Sequence, residues 1–182
     1  AYIGSTRDAK EILERSSLDP ELIISFADEK EDKISGFTRY EAYDDRWLQV
    51  ETINGSHAKE ALKSAEPDIV FVVAWQEIIE PEVLEIASEG FVGRHLSLLP
   101  KRRGRAPVAW ALIHGLDTTG TTLFWLDDGV DGGPIVDQTE VQIDNDDEAS
   151  DLLDKHATAT VTLLDNAKST FESGEFPRTP QD

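Results

Sequence analysis

The sequence predicts an α/β protein with a doubly wound, mostly parallel sheet. Short apolar runs alternate with segments of helical pattern along most of the 182 residues, and residues 68–75 (DIVFVVAW) form one continuous apolar run. A continuous run is typical of strands that are buried on both faces of a parallel sheet, and the alternation is typical of βαβ units. The hydrophobic fraction of 39% supports an ordinary globular core.

The elements follow in order from these patterns. Apolar runs predict the strands Tyr2–Gly4, Leu22–Phe26, Trp47–Glu51, Asp68–Trp75, Gly90–His95, Thr121–Leu126 and Ile135–Val141. Helical patterns predict Asp8–Arg15, His57–Ala65, Pro81–Ser88, Pro107–His114 and Glu148–Phe171. Proline begins the third helix and Gly115 ends the fourth, as helix signals require. The rest of residues 27–55 is charged and weakly patterned, so it predicts no further element.

We expect one catalytic domain over residues 1–172 and a linker-like or trimmed tail over residues 173–182. The tail reads SGEFPRTPQD, which is polar and contains two prolines. No apolar run reaches the length of a membrane span, and the first residues lack the charged and apolar regions of a signal peptide. We therefore expect no membrane association and a cytoplasmic location.

Composition excludes several function classes. With no cysteine, the chain has no thiolate nucleophile, disulfide or cysteine-ligated zinc. The 37 acidic and 17 basic side chains give a formal charge of −20, which repels phosphate backbones and argues against a nucleic-acid partner. The same excess fits either an ordinary acidic protein or adaptation to high salt. The first βα turn, Gly4–Ala9, contains only one glycine of the dinucleotide fingerprint, which argues against nicotinamide and flavin enzymes.

Two titratable residues stand where a parallel sheet places its ligands. His95 ends a buried strand, and Asp131 lies in the glycine-rich turn DDGVDGGP. A carboxylate can orient an imidazole and stabilise its charged form. One histidine and one aspartate do not make a metal site, so we expect none. Ser97 does not complete a hydrolytic triad, because it lies only two residues from His95 and no G-x-S-x-G elbow is present.

The order of residues around this pair resembles the catalytic domain of the 10-formyltetrahydrofolate-dependent formyltransferases. Residues 93–100 read GRHLSLLP, residues 102–110 read RRGRAPVAW, and residues 118–138 read TTGTTLFWLDDGVDGGPIVDQ. The family pattern is N-x-H-x-S-L-L-P, then R-G, then T-G-x-T, then an acidic loop that ends D-x-G. The spacing of 131 − 95 = 36 residues agrees with it. The resemblance is specific over residues 68–138.

The resemblance implies 10-formyltetrahydrofolate as formyl donor and a primary amine as acceptor. Protonated His95 would donate to the developing oxyanion, and Asp131 would hold His95 and help to take up the amine proton through water. The remaining residues that it implies are Trp75, Glu77, Ile79, Asp127 and Asp128 around the folate, and Ser97, Arg103 and Arg105 around the acceptor. It also implies a cis Leu99–Pro100 bond, and it is compatible with a homodimer.

One position departs from the family. The asparagine two residues before the histidine is Gly93 here, and that amide donates to the same oxyanion in the family. Loss of one such donor typically raises the barrier by ~3–4 kcal/mol. A water in the vacated space, the substrate or another side chain could donate instead. Otherwise the protein binds folate without efficient transfer.

The basic segment Lys101–Arg105 favours a phosphorylated acceptor, because arginine recognises phosphate in a bidentate manner. A solvated loop that balances nearby acid is the alternative. The residues RGRAPVAW most resemble the domain that formylates UDP-4-amino-4-deoxyarabinose, so we expect a small amine such as an amino-sugar nucleotide. Two other functions stay open: a hydrolase that releases formate from the same folate, and a catalytically idle folate-binding or regulatory domain.

Overall fold

The computed structural model describes all residues from Ala1 to Asp182. Its seven strands are β1 Tyr2–Ile3, β2 Ile23–Phe26, β3 Trp47–Val50, β4 Ile69–Val72, β5 Gly90–His95, β6 Thr118–Trp125 and β7 Ile135–Gln142. Its α-helices are α1 Arg7–Arg15, α2 Ser56–Ala65, α3 Pro81–Leu84, α4 Pro107–Ile113 and α5 Ala149–Glu172. None of these helices combines the length and the apolar character needed to cross a membrane.

The strands form a mostly parallel sheet, which confirms the predicted fold class. The strand order is β3-β2-β1-β4-β5-β6-β7, so the chain runs outward in one direction from β1 and then returns to continue in the other. Strand β1 pairs in parallel with both β2 and β4, and β6 pairs with β7 in antiparallel register. This reversal beside β1 is the feature that makes the sheet doubly wound.

Two compact units share the chain. The first comprises Ala1–Glu14 and Asp19–Val92, and the second comprises Arg15–Leu18 and Gly93–Asp182. In the first unit the short central strands are completely covered, with Tyr2, Ile3 and Ile24 at 0% exposure. Helix α1 presents Ala9, Ile12 and Leu13 as its buried face, at the spacing of an amphipathic helix.

The second unit is built around β6, β7 and α5. Seven of the eight residues of β6 are buried, and Val108, Ala111, Val141 and Leu152 form one apolar cluster. His156 of α5 is also buried, and its Nδ1 lies 2.8 Å from the hydroxyl of Thr121. Helix α5 ends at Glu172, and a domain boundary at this residue stays a prediction.

The third predicted helix, Pro81–Ser88, is wrong in its extent, because α3 ends at Leu84. The chain after α3 is held instead by Asp68, the residue that precedes β4. The Ser88 hydroxyl donates to the Asp68 carboxylate (2.7 Å), and the Glu89 N–H donates to the Asp68 carbonyl (2.9 Å). These tertiary hydrogen bonds replace those of the next helical turn. The weakly patterned residues 27–55 contain two 3₁₀ helices, Asp28–Lys33 and Glu41–Arg46.

Candidate active site

His95 is the last residue of β5, and only 7% of it is exposed. Its Nε2 lies 2.8 Å from the carbonyl oxygen of Arg102. A carbonyl can only accept a hydrogen bond, so Nε2 carries a hydrogen and donates it. The other ring nitrogen, Nδ1, therefore faces the second predicted residue, Asp131, with its lone pair or with a second proton. Strand β5 thus fixes an imidazole whose two nitrogens have different partners.

Asp131 meets this imidazole across a sequence separation of 36 residues. Its Oδ2 lies 3.5 Å from Nδ1 of His95 and accepts a hydrogen bond of 2.8 Å from the Gly104 N–H. Asp131 has a φ of 50°, in the left-handed region that a residue with a side chain rarely adopts. The structure therefore brings together the two side chains that the sequence singles out.

The basic segment Lys101–Arg105 contacts the pair through its backbone. The Arg102 carbonyl binds His95, the Gly104 N–H binds Asp131, and the side chains of Lys101, Arg102, Arg103 and Arg105 are exposed. Arg102 and Ala106 have φ values of 57° and 56°, which turn the segment back over the histidine. The positive charge of this acidic protein is thus concentrated beside the candidate site.

Two of the residues predicted to bind the acceptor are engaged within the protein. Ser97 is 1% exposed, and its hydroxyl donates to the Lys101 carbonyl (2.6 Å). Arg103 donates from Nε and Nη2 to the side-chain oxygen of Gln181 (3.0 and 2.7 Å). Arg105, the third, is exposed to solvent. Their roles toward an acceptor stay predictions, and Arg105 is the most available of the three.

Gly93, at the position of the family asparagine, has an apolar neighbour where a side chain would begin. A Cβ at this residue would lie 2.5 Å from Cδ2 of Leu126 and 3.3 Å from Cε1 of Phe124. Leu126 packs with the cluster of Leu99, Phe124 and Ile135. A leucine methyl group thus occupies the place of a Cβ at this residue, and donation by a water in the place of the missing amide stays a prediction.

The acidic turn is held by its own backbone. Asp127 accepts a hydrogen bond of 2.9 Å from the Gly129 N–H, while Asp128 is exposed. A Cβ at Gly133 would overlap the carbonyl oxygen of Trp125, so only glycine fits there. The Leu99–Pro100 bond is cis, as the resemblance implied. No contact of Asp127 or Asp128 assigns a ligand, so their predicted contact with folate stays a prediction.

The loop after β4, in the first unit, contains the other residues predicted to contact folate. The Trp75 ring stacks on Phe26 with centroids 3.7 Å apart, and its indole N–H is buried without an acceptor. Glu77 accepts hydrogen bonds from the Thr52 hydroxyl (2.5 Å) and from the Ile53 N–H (2.9 Å). Ile79 is 7% exposed. Glu77 thus ties two loops together, and Trp75 keeps an unused donor.

Sequence reasoning missed two residues of the site. Leu126 follows β6 as one of several apolar residues, and nothing in its position relates it to Gly93. Gln181 lies in the predicted tail, yet its side-chain amide donates to the carbonyls of Asp131 (3.0 Å) and Gly133 (2.7 Å). A polar, proline-containing segment gives no signal for such contacts, because they depend on where the chain returns after α5.

Known proteins resemble this chain in sequence and in fold. The family described as formyl transferase matches residues 15–167. The methionyl-tRNA formyltransferase of Clostridioides difficile is 39% identical over 120 residues, which are 66% of this chain and 39% of that protein. The chain spans about two fifths of the length of the curated relatives it matches.

Solved structures share the fold at low sequence identity. Phosphoribosylglycinamide formyltransferase from Anaplasma phagocytophilum has a TM-score of 0.77 at 19% identity, covering 94% of this chain and 85% of that one. A formyltetrahydrofolate deformylase from Pseudomonas syringae pv. tomato has a TM-score of 0.77 at 15% identity, covering 100% of this chain and 64% of that one. The family match covers most of the chain, and this chain therefore belongs to the formyl transferase family.

Proposed function

We propose that this protein transfers a formyl group from 10-formyltetrahydrofolate to a primary amine of a small, phosphorylated acceptor such as an amino-sugar nucleotide. The observation that carries the proposal is the pairing of the buried His95 with Asp131, Nδ1 to Oδ2 at 3.5 Å, in a chain of the formyl transferase family. The folate supplies a formyl carbon that is open to attack by the amine. The protein supplies a proton donor, its orienting carboxylate and a basic loop.

His95 would stabilise the charge that develops on the formyl oxygen. Its Nε2–H donates to the Arg102 carbonyl in the free protein, and the formyl oxygen would replace that carbonyl as acceptor. Asp131 faces Nδ1, so it would keep Nε2 directed at this acceptor. The same carboxylate would take part in removal of the amine proton, through water. A positioned imidazole of this kind typically contributes ~10²–10⁴-fold to a rate.

Whether a folate fits the residues present can be judged from the indole N–H of Trp75. Its N–H is buried and has no acceptor in the protein. A buried donor without a partner is costly, and a pterin presents several hydrogen-bond acceptors. Trp75 would therefore bind the folate through this N–H. The donor that the protein itself leaves unused supports a ligand at the loop after β4.

Two acceptor classes are supported by different observations. The exposed Arg105 and its basic neighbours suit a phosphorylated small molecule, and the net charge of −20 disfavours the phosphate backbone of a tRNA. The curated relatives, by contrast, are named methionyl-tRNA formyltransferases. Methionyl-tRNA is therefore the second candidate acceptor.

The function is tested by incubating the protein with 10-formyltetrahydrofolate and following its conversion by absorbance. Parallel reactions contain no acceptor, UDP-4-amino-4-deoxyarabinose, or methionyl-tRNA. Turnover that requires the amino sugar supports the proposal, and turnover that requires the tRNA supports the second acceptor. Turnover without any acceptor indicates a hydrolase, and binding without turnover indicates an idle folate-binding domain.

Restoring the family asparagine is expected to raise the rate only when space is made for it. In Gly93→Asn alone, the new Cβ meets Cδ2 of Leu126 at 2.5 Å, so the leucine side chain has to move before the asparagine can be accommodated. In Gly93→Asn/Leu126→Ala, the amide can reach the oxyanion, and kcat should rise at least about tenfold, since one such donor is worth 10²–10³-fold in other enzymes. Leu126→Ala alone is the control. A double variant no faster than this control would show that the site uses another donor.

A further inference from the structure

The side chain of Gln181 uses its full hydrogen-bonding capacity beside the candidate site. Its Nε2 donates to the Asp131 carbonyl (3.0 Å) and to the Gly133 carbonyl (2.7 Å). Its Oε1 accepts from Nε and Nη2 of Arg103 (3.0 and 2.7 Å). A primary amide has two N–H donors and one oxygen with two lone pairs. Only this orientation of the amide satisfies all four contacts, so Arg103 fixes the direction in which Gln181 donates.

The backbone that carries Gln181 is anchored to the same unit. Residues 176–181, here called the C-terminal strap, form an antiparallel bridge in which Thr179 and Ile135 exchange two hydrogen bonds (2.9 and 2.7 Å). The Trp125 indole donates to the Pro177 carbonyl (2.7 Å), and the Arg178 guanidinium lies 3.9 Å from the centre of the Trp125 ring. The strap therefore holds the Gln181 side chain at a fixed place.

Asp131 needs such a restraint. A φ of 50° lies in the left-handed region that residues with a side chain rarely adopt, and such conformations persist where surrounding contacts determine them. The carbonyl of Asp131 is bound by Gln181, and its carboxylate is bound by the Gly104 N–H and faces His95. Loss of the contact at the carbonyl would let the residue relax and would move the carboxylate.

We propose that Gln181 is a positioning residue for the His95–Asp131 pair. Its amide N–H groups hold the Asp131 backbone in the left-handed conformation that directs the carboxylate at Nδ1 of His95, and Arg103 orients the amide for this task. The part that concerns turnover rests on the function proposed above. The positioning itself is a property of the protein without substrates and is measured separately.

The test compares Gln181→Glu with Gln181→Met. Glutamate keeps the acceptor for Arg103 but places a carboxylate oxygen against the two carbonyls, and methionine has a similar length without hydrogen-bonding groups. In both variants kcat should fall by ~10–100-fold, as small misplacements of catalytic groups do, with the KM for 10-formyltetrahydrofolate unchanged. Gln142→Met is the matched control, because Gln142 lies on β7 and its side chain bonds only Thr118.

A second readout needs no turnover. Amide hydrogen exchange of Gly104, whose N–H binds the Asp131 carboxylate, should accelerate about tenfold in both Gln181 variants, because the local structure opens more often. Exchange of Leu123 in the buried strand β6 should be unchanged, which excludes global unfolding. Faster exchange at Gly104 supports the positioning even if the wild type transfers no formyl group. Unchanged exchange at Gly104 in both variants would overturn it.

Discussion

Replacing His95 by glutamine is expected to lower formyl transfer by ~10³-fold, the loss typical of removing a positioned proton donor. Glutamine keeps a polar side chain in the buried position at the end of β5 but lacks the ring nitrogens that face Asp131 and the Arg102 carbonyl. The KM for the folate should change little, because the predicted folate contacts lie elsewhere. The measurement is kcat with saturating 10-formyltetrahydrofolate and acceptor, with a circular dichroism spectrum to show that the variant is folded.

His114→Gln is the matched control. His114 is exposed and stacks on Trp110 with centroids 5.6 Å apart, so the same substitution there removes an imidazole without touching the pair. We expect wild-type kcat in this control. A folded His95→Gln variant with wild-type activity would show that the reaction takes place at another site, and the roles assigned to His95 and Gly93 would then fail.

The two central residues of the site, His95 and Asp131, could be predicted from the sequence. Strand β5 could be placed because its run of apolar residues needs burial, and His95 then had to lie at the ligand-binding edge of a parallel sheet. The family spacing supplied Asp131. Neither step depends on details of packing, since strand ends and a motif spacing are properties of the chain itself. For that reason the predicted pair is found 3.5 Å apart.

The parts that could not be predicted depend on contacts between distant residues. Outside β3, residues 27–55 have no hydrophobic period, yet Tyr40 and Ile53 are fully buried, and Arg39 pairs with Asp28 and Glu31 on the surface (2.9 and 2.8 Å). Gln181 contacts Asp131 only because the strap pairs with β7 after the long helix α5. Such contacts follow from the final arrangement of the chain, which local pattern does not determine.

The pairing of Gly93 with Leu126 shows why one substitution in a motif is not an isolated event. From the sequence alone, Gly93 indicates that a hydrogen-bond donor is missing and that space is left for a water. The structure shows that a leucine from the end of β6 occupies the position, so two residues are matched in shape. Under the proposed function, stabilisation of the oxyanion would therefore depend more heavily on His95, and through it on the residues that hold His95.

Substitution of Asp131 measures how far kcat depends on the residues that hold His95. Asp131→Asn is expected to lower kcat by ~10²–10³-fold, because His95 loses the carboxylate that faces its Nδ1 and would take part in proton transfer. The asparagine carbonyl can still accept the hydrogen bond from the Gly104 N–H, and the Asp131 backbone contact with Gln181 is unaffected. The turn should therefore keep its conformation, and the loss should reflect charge rather than unfolding. The measurement is kcat across pH, together with the melting temperature.

Asp137→Asn provides the comparison, because Asp137 is an exposed aspartate of β7 whose carboxylate accepts only the neighbouring Gln138 N–H. The same loss of one charge there should leave kcat unchanged, which separates a local effect on His95 from a change in the net charge. If Asp131→Asn kept the wild-type kcat at every pH, the carboxylate would have no part in the reaction. Gln181 would then stabilise the turn alone, and His95 would act without help from the carboxylate.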